Sequence, residues 1–573
     1  TVTNTQIKTT QQVANANIPG NYKLLIHKMK LDHAAKELAL PVKVELKSDG
    51  TISGDKTGTW SVVSGTSYIN MTIDGVSYKG VMVNQKLEPT DNVVPAFTAV
   101  TSSDGHSVWG YKAETEVIGT TSTGWTTAYT TPIKLSTDKM VTYSFLGDEI
   151  GTGTYDGLVI NLSKTNTPQW VGENDYLFLR TSDFWYDILN GLGSPILNQN
   201  TFGTTKVADI FAGSTGELKV RRTGTKAIVQ LDLTKSGTTY HLYHAQDLGT
   251  TDDIYVMLCG ENTQFTLTDT SIDSYQVNGT LLGVDDNSGG LGAGNRGVDY
   301  TLAPEGTLKL HFTNYTNKLA AYNTWTLEMQ QGDEIIDIGA DNRGWTYPAN
   351  GAWSTAGYWN GESQGWANYD WNTFVDDIDG ADVEITVKRV GTEITMEAVH
   401  ISLAGKEFSK TYHFTVSSSE ATQNMSVRLL TEGGHLDLLD VAVGTTISAY
   451  DWSTFVSSDY ALDFTNVDGL TAYAVTGHDG TNINKVEVAS AVPAGTPLLL
   501  QGDANTTYFI PVAATAGTAP SGNLLKAGTG ANVSPETGKT KYALSVEAGA
   551  AHFKKIEAAR AIPVGKAYLQ FDE

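Results

Sequence analysis

Residues 217–233, ELKVRRTGTKAIVQLDL, have a counterpart at residues 382–399, DVEITVKRVGTEITMEAV. Both stretches alternate apolar and polar residues, the pattern of short β-strands. Further matches follow the same order at an offset of about 170 residues: 116–135 with 281–302, 140–162 with 307–329, NTF at 200–202 with NTF at 372–374, and 254–269 with 425–440. Repeated matches in one order at one offset are strong evidence of a duplicated domain.

The repeat sets the domain organisation that we predict. Each copy contains about eight to ten short strands, which is typical of an antiparallel β-sandwich of jelly-roll type. The fold class is therefore all-β and multi-domain. We predict a small β domain over 1–115, sandwich repeats over 116–280 and 281–444, and a small C-terminal β module over 445–573.

The C-terminal module has its own weaker internal similarity. AVPAGTPLLLQ at 491–501 and AIPVGKAYLQF at 561–571 each place a Pro-x-Gly turn directly before a strand. The helix-like stretch KKIEAARA, residues 554–561, is expected to be a connector.

Charge and composition exclude several classes of function. The formal net charge of −25 argues against nucleic acid or an anionic membrane as partner, because phosphate binding needs clustered Lys and Arg. No apolar run reaches the ~18 residues of a membrane span, so we predict no membrane insertion. The single cysteine, Cys259, is expected to be a buried small hydrophobe. The chain begins TVTNTQIKTT without Met or a signal peptide, which suggests a processed or excised fragment.

The clearest candidate site is the segment 342–371, NRGWTYPANGAWSTAGYWNGESQGWANYDW. It holds five of the chain's twelve tryptophans: Trp345, Trp353, Trp359, Trp366 and Trp371. Aromatic rings stack on the C–H faces of sugars, and amide side chains such as Asn360 and Gln364 bind hydroxyls, so we predict a carbohydrate-binding surface. The alternative is a structural mini-core beneath a long loop.

The first sandwich repeat differs most from the second in this segment. Its counterpart, residues 175–202, is more aliphatic and contains Trp185 and Tyr186, with Trp170 just upstream. Ligand-binding loops diverge on a shared scaffold, whereas a structural cluster should be similar in both copies. We therefore assign Trp170, Trp185 and Tyr186 as a second, weaker set of candidate carbohydrate-binding residues.

Metal and catalytic signatures are sparse. Asp285 and Asp286, in GVDDNSGG at 283–290, are oxygen donors of the kind that Ca²⁺ accepts, although the spacing is not that of an EF-hand. They predict a possible structural Ca²⁺ site, with a solvated linker turn as the alternative, and no other cofactor is expected. Glu261 and Glu432 occupy equivalent positions in the two repeats and are interpreted as polar residues at strand ends. No catalytic residue is assigned.

The first domain carries a family resemblance. The runs GNYKLLIHK (20–28), VKVELKSDGTISG (42–54) and DGVSYKGV (74–81), and the closing G-x-S-V-W-G at 105–110, resemble the small β domain that follows the propeller in extracellular endo-arabinanases of glycoside hydrolase family 43. In that family the catalytic carboxylates lie on the propeller, which would precede residue 1. The resemblance therefore implies an enzyme context, a covalently linked catalytic domain upstream, and no active site in this chain.

The remaining domains resemble modules of similar proteins. Residues 117–444 are similar to tandem, lectin-like carbohydrate-binding sandwiches appended to polysaccharide-degrading enzymes of gut and rumen Bacteroidetes. The last segment is similar to C-terminal modules of secreted Prevotella-type proteins. These resemblances imply an extracellular or cell-surface location.

We expect a non-catalytic, carbohydrate-binding portion of a secreted plant-polysaccharide hydrolase. Its partner would be a cell-wall polysaccharide such as arabinan, arabinoxylan (a xylan) or β-glucan. One alternative is a glycoside hydrolase with its own active site in a sandwich, which needs two carboxylates within about 5–10 Å on one sheet. The other is a structural spacer without a ligand.

Overall fold

Among the residues that the structure describes, the regular secondary structure is almost entirely β-strand, which confirms the predicted all-β fold class. The structure, a computed structural model, describes residues 17–27, 42–85, 94–101, 106–113, 115–153, 155–168, 175–182, 186–187, 207–275, 280–285, 297–316, 324–332, 334–339, 344–348, 377–416, 421–547 and 549–572. Within these ranges, no helix has the length and apolar character needed to cross a membrane.

The first domain is a closed antiparallel barrel of eight strands, in which β1 pairs with β8. The strands are β1 (Gly20–His27), β2 (Val42–Leu46), β3 (Thr51–Gly54), β4 (Gly58–Val62), β5 (Tyr68–Ile73), β6 (Val76–Gln85), β7 (Val94–Val100) and β8 (Ser107–Lys112). Every second residue of β5 is buried, so that Ile69, Met71 and Ile73 fill the barrel interior. Asp74 and Gly75 join β5 to β6 with positive φ angles, as a two-residue Asp-Gly hairpin requires.

The first sandwich packs two sheets around one apolar core. Its elements are β9 (Glu116–Ile118), β10 (Ile133–Leu135), β11 (Lys139–Ile150), β12 (Gly157–Ser163), β13 (Asp175–Arg180), β14 (Tyr186–Asp187), α1 (Val207–Ile210), β15 (Thr215–Thr223), β16 (Lys226–Lys235), β17 (Thr238–Asp247), β18 (Ile254–Glu261) and β19 (Thr263–Ser274). The strand orders are β10-β18-β12-β13-β14 and β17-β16-β15-β11-β19-β9.

The second sandwich repeats this topology strand for strand. Its strands are β20 (Thr280–Gly283), β21 (Gly297–Leu302), β22 (Thr307–Tyr315), β23 (Trp325–Gln331), β24 (Glu334–Gly339), β25 (Gly344–Pro348), β26 (Ala381–Val390), β27 (Glu393–Ile401), β28 (Glu407–Thr415), β29 (Met425–Thr431) and β30 (His435–Thr446). The orders β21-β29-β23-β24-β25 and β28-β27-β26-β22-β30-β20 match those of the first sandwich when β9 is equated with β20 and each later strand follows in step. The sequence repeat therefore corresponds to a repeated architecture.

A buried arginine occupies the same position in both sandwiches. The guanidinium of Arg222 donates to the carbonyl oxygens of Thr250 and Asp252 at 2.9 and 3.0 Å. Its equivalent, Arg389, donates to the carbonyl of Gln423 at 2.7 Å. Both arginines are fully buried. Because these carbonyls belong to loops, Arg222 anchors the loop that leads into β18, and Arg389 anchors the loop that leads into β29.

The C-terminal segment is a tandem of two similar halves. The first contains β31 (Trp452–Phe455), β32 (Leu462–Asp463), β33 (Thr471–His478), β34 (Ile483–Glu487), β35 (Ala491–Val492), β36 (Leu498–Gln501) and β37 (Thr507–Pro511). The second contains β38 (Leu525–Ala527), β39 (Asn532–Val533), β40 (Lys539–Glu547), β41 (Ala550–Lys555), β42 (Arg560–Ala561) and β43 (Ala567–Asp572). The order β31-β36-β33-β34 recurs as β38-β43-β40-β41, and the pair β32-β35 recurs as β39-β42.

This duplication explains the two Pro-x-Gly phrases, which precede β36 and β43. The stretch 554–561, expected to be a helix-like connector, is not helical in the structure. That stretch contains the end of β41, a buried Ile556 and the short strand β42. Pairing with the rest of the sheet overrides the helix preference of its Lys, Glu and Ala residues.

Neighbouring domains are joined by specific contacts. At the barrel junction, Asp269 of the first sandwich pairs with Lys23 and Lys43 of the barrel, both at 2.7 Å. Burial alone would raise the pKa of Asp269, but its hydrogen bonds and charge contacts with the two lysines lower it overall. At the other end, β37 pairs with β30, so a ladder of hydrogen bonds crosses the predicted 444/445 boundary.

Candidate carbohydrate-binding site

In each sandwich, one of the predicted aromatic residues lies on the edge strand of the five-stranded sheet. Trp345 lies on β25, the edge strand of its sheet, opposite Asp337 of β24. Tyr186 lies on β14, the equivalent edge strand of the first sandwich, opposite Leu179. The other predicted ligand residues fall outside the described residues: Trp353, Trp359, Trp366, Trp371, Asn360, Gln364, Trp170 and Trp185. Their assignment stays a prediction.

Four charged residues line up across the sheet next to Trp345. Strand pairing places Asp299 opposite Arg428, Arg428 opposite Glu328, and Glu328 opposite Asp337. We call Asp299, Arg428, Glu328 and Asp337 the charged row. Since Asp337 is in turn opposite Trp345, the row leads directly to the start of the tryptophan-rich segment.

Arg428 is the electrostatic centre of the charged row. Its Nη1 donates to Oε1 of Glu328 at 2.8 Å, and its Nε and Nη2 donate to the carboxylate of Asp299, the latter at 3.2 Å. Exposure falls along the row, from 59% for the Asp299 side chain to 36% for Arg428, while Glu328 and Asp337 are buried. Burying a carboxylate is unfavourable unless it is paired, and Arg428 supplies that pairing for Glu328.

In the described part of the first sandwich, the equivalent positions do not form such a row. The registers of β12, β13 and β18 place Asn161 opposite Phe178 and Met257, at the positions that Glu328, Asp337 and Arg428 occupy in the second copy. Phe178 and Met257 belong to a small apolar cluster covered by Trp125, whose ring centroid lies 4.8 Å from that of Phe178. The same part of the scaffold is thus apolar and covered in one copy and charged in the other.

The predicted metal residue Asp285 lies in the junction between the sandwiches. Its side chain is fully buried, and Oδ2 accepts a hydrogen bond from the backbone N–H of Ala245 at 2.6 Å. The same oxygen lies 2.9 Å from Nδ1 of His435 and 3.7 Å from Nδ1 of His244. Asp286 lies outside the described residues.

These contacts give Asp285 a structural role in joining the two copies. Burial lowers the pKa of His244, against the opposing effect of Asp285. Over the part of the chain that the structure describes, no group of three or more His, Cys, Asp or Glu side chains is arranged to hold a metal ion. A Ca²⁺ site therefore stays a sequence-based prediction.

The contacts and burial of the remaining residues considered in the sequence are those of structural residues. The carboxylate of Glu261 accepts the backbone N–H of Trp125 at 3.2 Å, and Glu432 is buried at the end of β29. Cys259 is buried, as expected. Two histidines three residues apart on β17 lie on opposite faces of that strand: His241 pairs with Asp232 at 2.7 Å, whereas His244 is enclosed at the junction.

The barrel is the part of the chain that matches a known protein family. Residues 3–110 match the family described as GH43_C, the C-terminal lipocalin-like domain. The match supports a GH43 accessory region in this part of the chain. The eight-stranded barrel observed here agrees with the lipocalin-like description, and the match does not extend to the sandwiches.

Two curated relatives match the same region. The extracellular endo-alpha-(1->5)-L-arabinanase 2 of Bacillus subtilis is 31% identical over 105 residues, which are 18% of this chain and 21% of the relative. The extracellular endo-alpha-(1->5)-L-arabinanase of Thermotoga petrophila is 34% identical over 111 residues, 19% of this chain and 22% of the relative. A crystal structure of the endo-1,5-alpha-L-arabinanase from Thermotoga petrophila covers 19% of this chain and 23% of its own, at 32% identity and a TM-score of 0.17. The chain thus spans about a fifth of the length of the curated relatives it matches.

Proposed function

We propose that this chain is the carbohydrate-binding, non-catalytic portion of a secreted enzyme that degrades plant cell-wall polysaccharide. The GH43 accessory region and the arabinanases similar to it support the enzyme context and an extracellular location. The observation that carries the binding proposal is the charged row. It is present in the second sandwich, absent from the same position in the first, and adjacent to Trp345.

The chemistry of the charged row suits sugar hydroxyls. Carboxylate oxygens of Asp299 and Glu328 can accept hydrogen bonds from neighbouring hydroxyls, and the Arg428 guanidinium can donate to ring or hydroxyl oxygens. Trp345, beside the row, would supply the aromatic face on which a sugar ring stacks. Arabinan, arabinoxylan and β-glucan all offer these groups.

Binding of this kind would act by targeting. A catalytic domain linked covalently to this chain would be held at an insoluble polymer, because a tethered site raises the local concentration of enzyme on its substrate. If the first sandwich also binds through the predicted Trp170, Trp185 and Tyr186, two linked sites would lengthen the residence time further. A Ca²⁺ ion at Asp285 and Asp286 is proposed only as a structural addition.

Affinity electrophoresis of the full chain in gels containing arabinan, arabinoxylan or β-glucan tests the proposal. We expect at least one polymer to retard the chain. The double variant Glu328→Gln/Arg428→Gln keeps a neutral hydrogen-bonding pair and should weaken retardation about tenfold or more. Trp345→Ala should weaken it as well.

A matched control is Glu384→Gln in the opposite sheet of the same sandwich. It removes one carboxylate from an exposed ion pair with Lys309 at 2.6 Å, so it changes charge without touching the row. This control should bind as the unaltered chain does. Retardation that survives the row variants unchanged would refute the site, and the absence of retardation by every polymer would refute the binding function.

A second function, glycoside hydrolysis, is favoured by one observation. Glu328 and Asp337 lie directly opposite each other on adjacent strands, which places their Cβ atoms about 4.5–5.5 Å apart. Both side chains therefore lie on one face of the sheet, and a pair of neighbouring carboxyl groups is what glycosidases require. Release of reducing sugar that is abolished by Glu328→Gln would establish this function; no release from any of the three polymers would exclude it for them.

A further inference from the structure

A groove with aromatic walls lies between the two halves of the C-terminal tandem. The cavity has a volume of about 520 Å³. Trp452 and the β33–β34 hairpin form one wall, while Tyr542, Phe553 and Phe571 form the other. These four rings are only partly buried, although they pack against the core that joins the halves. Ligand sites are commonly concave, aromatic and placed between structural units in this way.

Two aromatic rings position the ammonium group of Lys485 at the groove. The Nζ atom of Lys485 lies 3.6 Å from the ring centroid of Tyr473 and 4.5 Å from that of Trp452. Lys485 is exposed, and among the described residues no carboxylate forms an ion pair with it. Its ammonium is therefore positioned by cation–π contacts and still available to an anion.

The side chains that line the groove include cationic and nitrogen-bearing groups, in contrast to the negative net charge of the chain. Two imidazoles, those of His478 and His552, line it together with Lys485. The chain as a whole has a net charge of −25. A local set of cationic or hydrogen-bonding nitrogens on so acidic a chain favours an anionic ligand over a cationic one.

Lys485 has no lysine at the equivalent position of the second half of the tandem. Lys485 pairs with Val475 on β33–β34, and Phe553 pairs with Leu544 at the equivalent position of β40–β41. One half thus presents a charge where the other presents a ring. The two equivalent positions face the same groove, so a ligand there would meet an ammonium on one side and an aromatic face on the other.

The rim of the groove is held in one conformation. The carboxylate of Asp479 accepts the backbone N–H groups of Thr481 and Asn482 at 2.9 and 2.7 Å, which closes the tip of the β33–β34 hairpin. The ring of His478 packs edge-on against Phe571, with centroids 4.4 Å apart. A pre-ordered rim reduces the entropy lost on binding, and Asn482 adds an amide suited to hydroxyls.

We propose that this groove binds a uronic acid unit of an acidic polysaccharide. The sugar ring would stack on an aromatic wall, its carboxylate would pair with Lys485, and its hydroxyls would meet Asn482 and the imidazoles. Charge complementarity and the aromatic faces together select a carboxylated sugar over a neutral one. This site is separate from the charged row of the second sandwich and does not depend on it.

Isothermal titration calorimetry of the full chain with trigalacturonate, and with a neutral galactose trimer for comparison, tests the proposal. We expect trigalacturonate to bind at least tenfold more tightly than the neutral trimer, and the difference to shrink with added NaCl. Lys485→Gln should weaken trigalacturonate binding about tenfold, and Lys485→Arg should retain it.

Lys526→Gln is the matched control, because Lys526 is an exposed residue of β38 that does not line the groove. It should leave binding unchanged. Equal binding of both trimers, no effect of Lys485→Gln, or binding of an acidic peptide such as triglutamate as tightly as trigalacturonate would each overturn the proposal. Glu328→Gln/Arg428→Gln should not alter trigalacturonate binding, so failure here is distinguishable from failure of the second-sandwich site.

Discussion

His400 and Trp325 form a hydrogen-bonded pair in the core of the second sandwich. Trp325 Nε1 donates to His400 Nε2 at 2.9 Å, and both side chains are fully buried. Because an indole N–H can only donate, His400 Nε2 must accept, so the imidazole is neutral in the folded protein. Burial lowers the pKa of His400 from 6.5 to about 3. We predict that this single side chain makes the second sandwich sensitive to acid.

The size of the effect follows from proton linkage. The folded pKa of His400 lies below its unfolded value, so its contribution to stability is complete above about pH 6.5. It is lost progressively as the pH falls toward the folded pKa, because the unfolded chain takes up the proton and the folded one does not. With pKa values of 6.5 and about 3, the free energy of unfolding should fall by about 2 kcal/mol at pH 5 relative to pH 8.

Hydrogen exchange read by mass spectrometry measures this locally. Peptides from β23 and β27 should lose about 30-fold in protection between pH 8 and pH 5, after correction for intrinsic exchange rates. His400→Gln keeps an acceptor for Trp325 but does not titrate, so the loss should vanish. Leu158 and Leu233 occupy the equivalent positions in the first sandwich, but that sandwich has its own buried histidine with a lowered pKa, His244, so the difference between the unaltered chain and His400→Gln is the measure of the effect. Equal losses in the unaltered chain and in His400→Gln would refute the reasoning.

Two further changes test the framework that holds the candidate sites. Arg389→Leu should destabilise the second sandwich by about 1–3 kcal/mol, because the carbonyl of Gln423 loses one of its two side-chain donors and that of Gly391 loses its hydrogen bond from Arg389. Exchange in β26 and β29 should rise while the first sandwich is unaffected. Asp269→Asn should weaken the barrel junction by about 1 kcal/mol per lost ion pair with Lys23 and Lys43, seen as faster proteolysis between β8 and β9. Since the pKa of Asp269 is lowered, the unaltered junction should also weaken only when the pH falls below the usual carboxyl range, and unchanged proteolysis of Asp269→Asn at pH 7 would contradict this role.

The architecture could be predicted from the sequence because it is repeated. Alternation of apolar residues identified strands such as β15 and β26, and the constant offset equated them, so the strand orders of the two sandwiches agree without further information. The C-terminal duplication was visible only as two Pro-x-Gly phrases, because its strands are short and few of their side chains are fully buried. The stretch 554–561 misled for a related reason: its local preference is helical and the pairing of β41 is not local.

The charged row could not be predicted in the same way. Arg428 contacts Glu328 and Asp299 across sequence separations of 100 and 129 residues, and the row exists only once the register of several strands is fixed. A one-residue change of register would place these side chains on the other face of the sheet. One signal was present: Glu328 and Arg428 place charges in strands whose residues are mostly buried, where the first copy has Asn161 and Met257.

The pairing of β37 with β30 has a consequence for solubility. β20 pairs with Leu438 and the residues before it, and β37 pairs with residues from Ala442 onward, so two short strands from different parts of the chain cover one side of β30 almost end to end. Exposed sheet edges template the addition of strands from other molecules. β37, from the C-terminal tandem, covers residues 442–446 of β30. We therefore expect a chain cut after Thr446 to expose this edge and to self-associate more readily than the full chain.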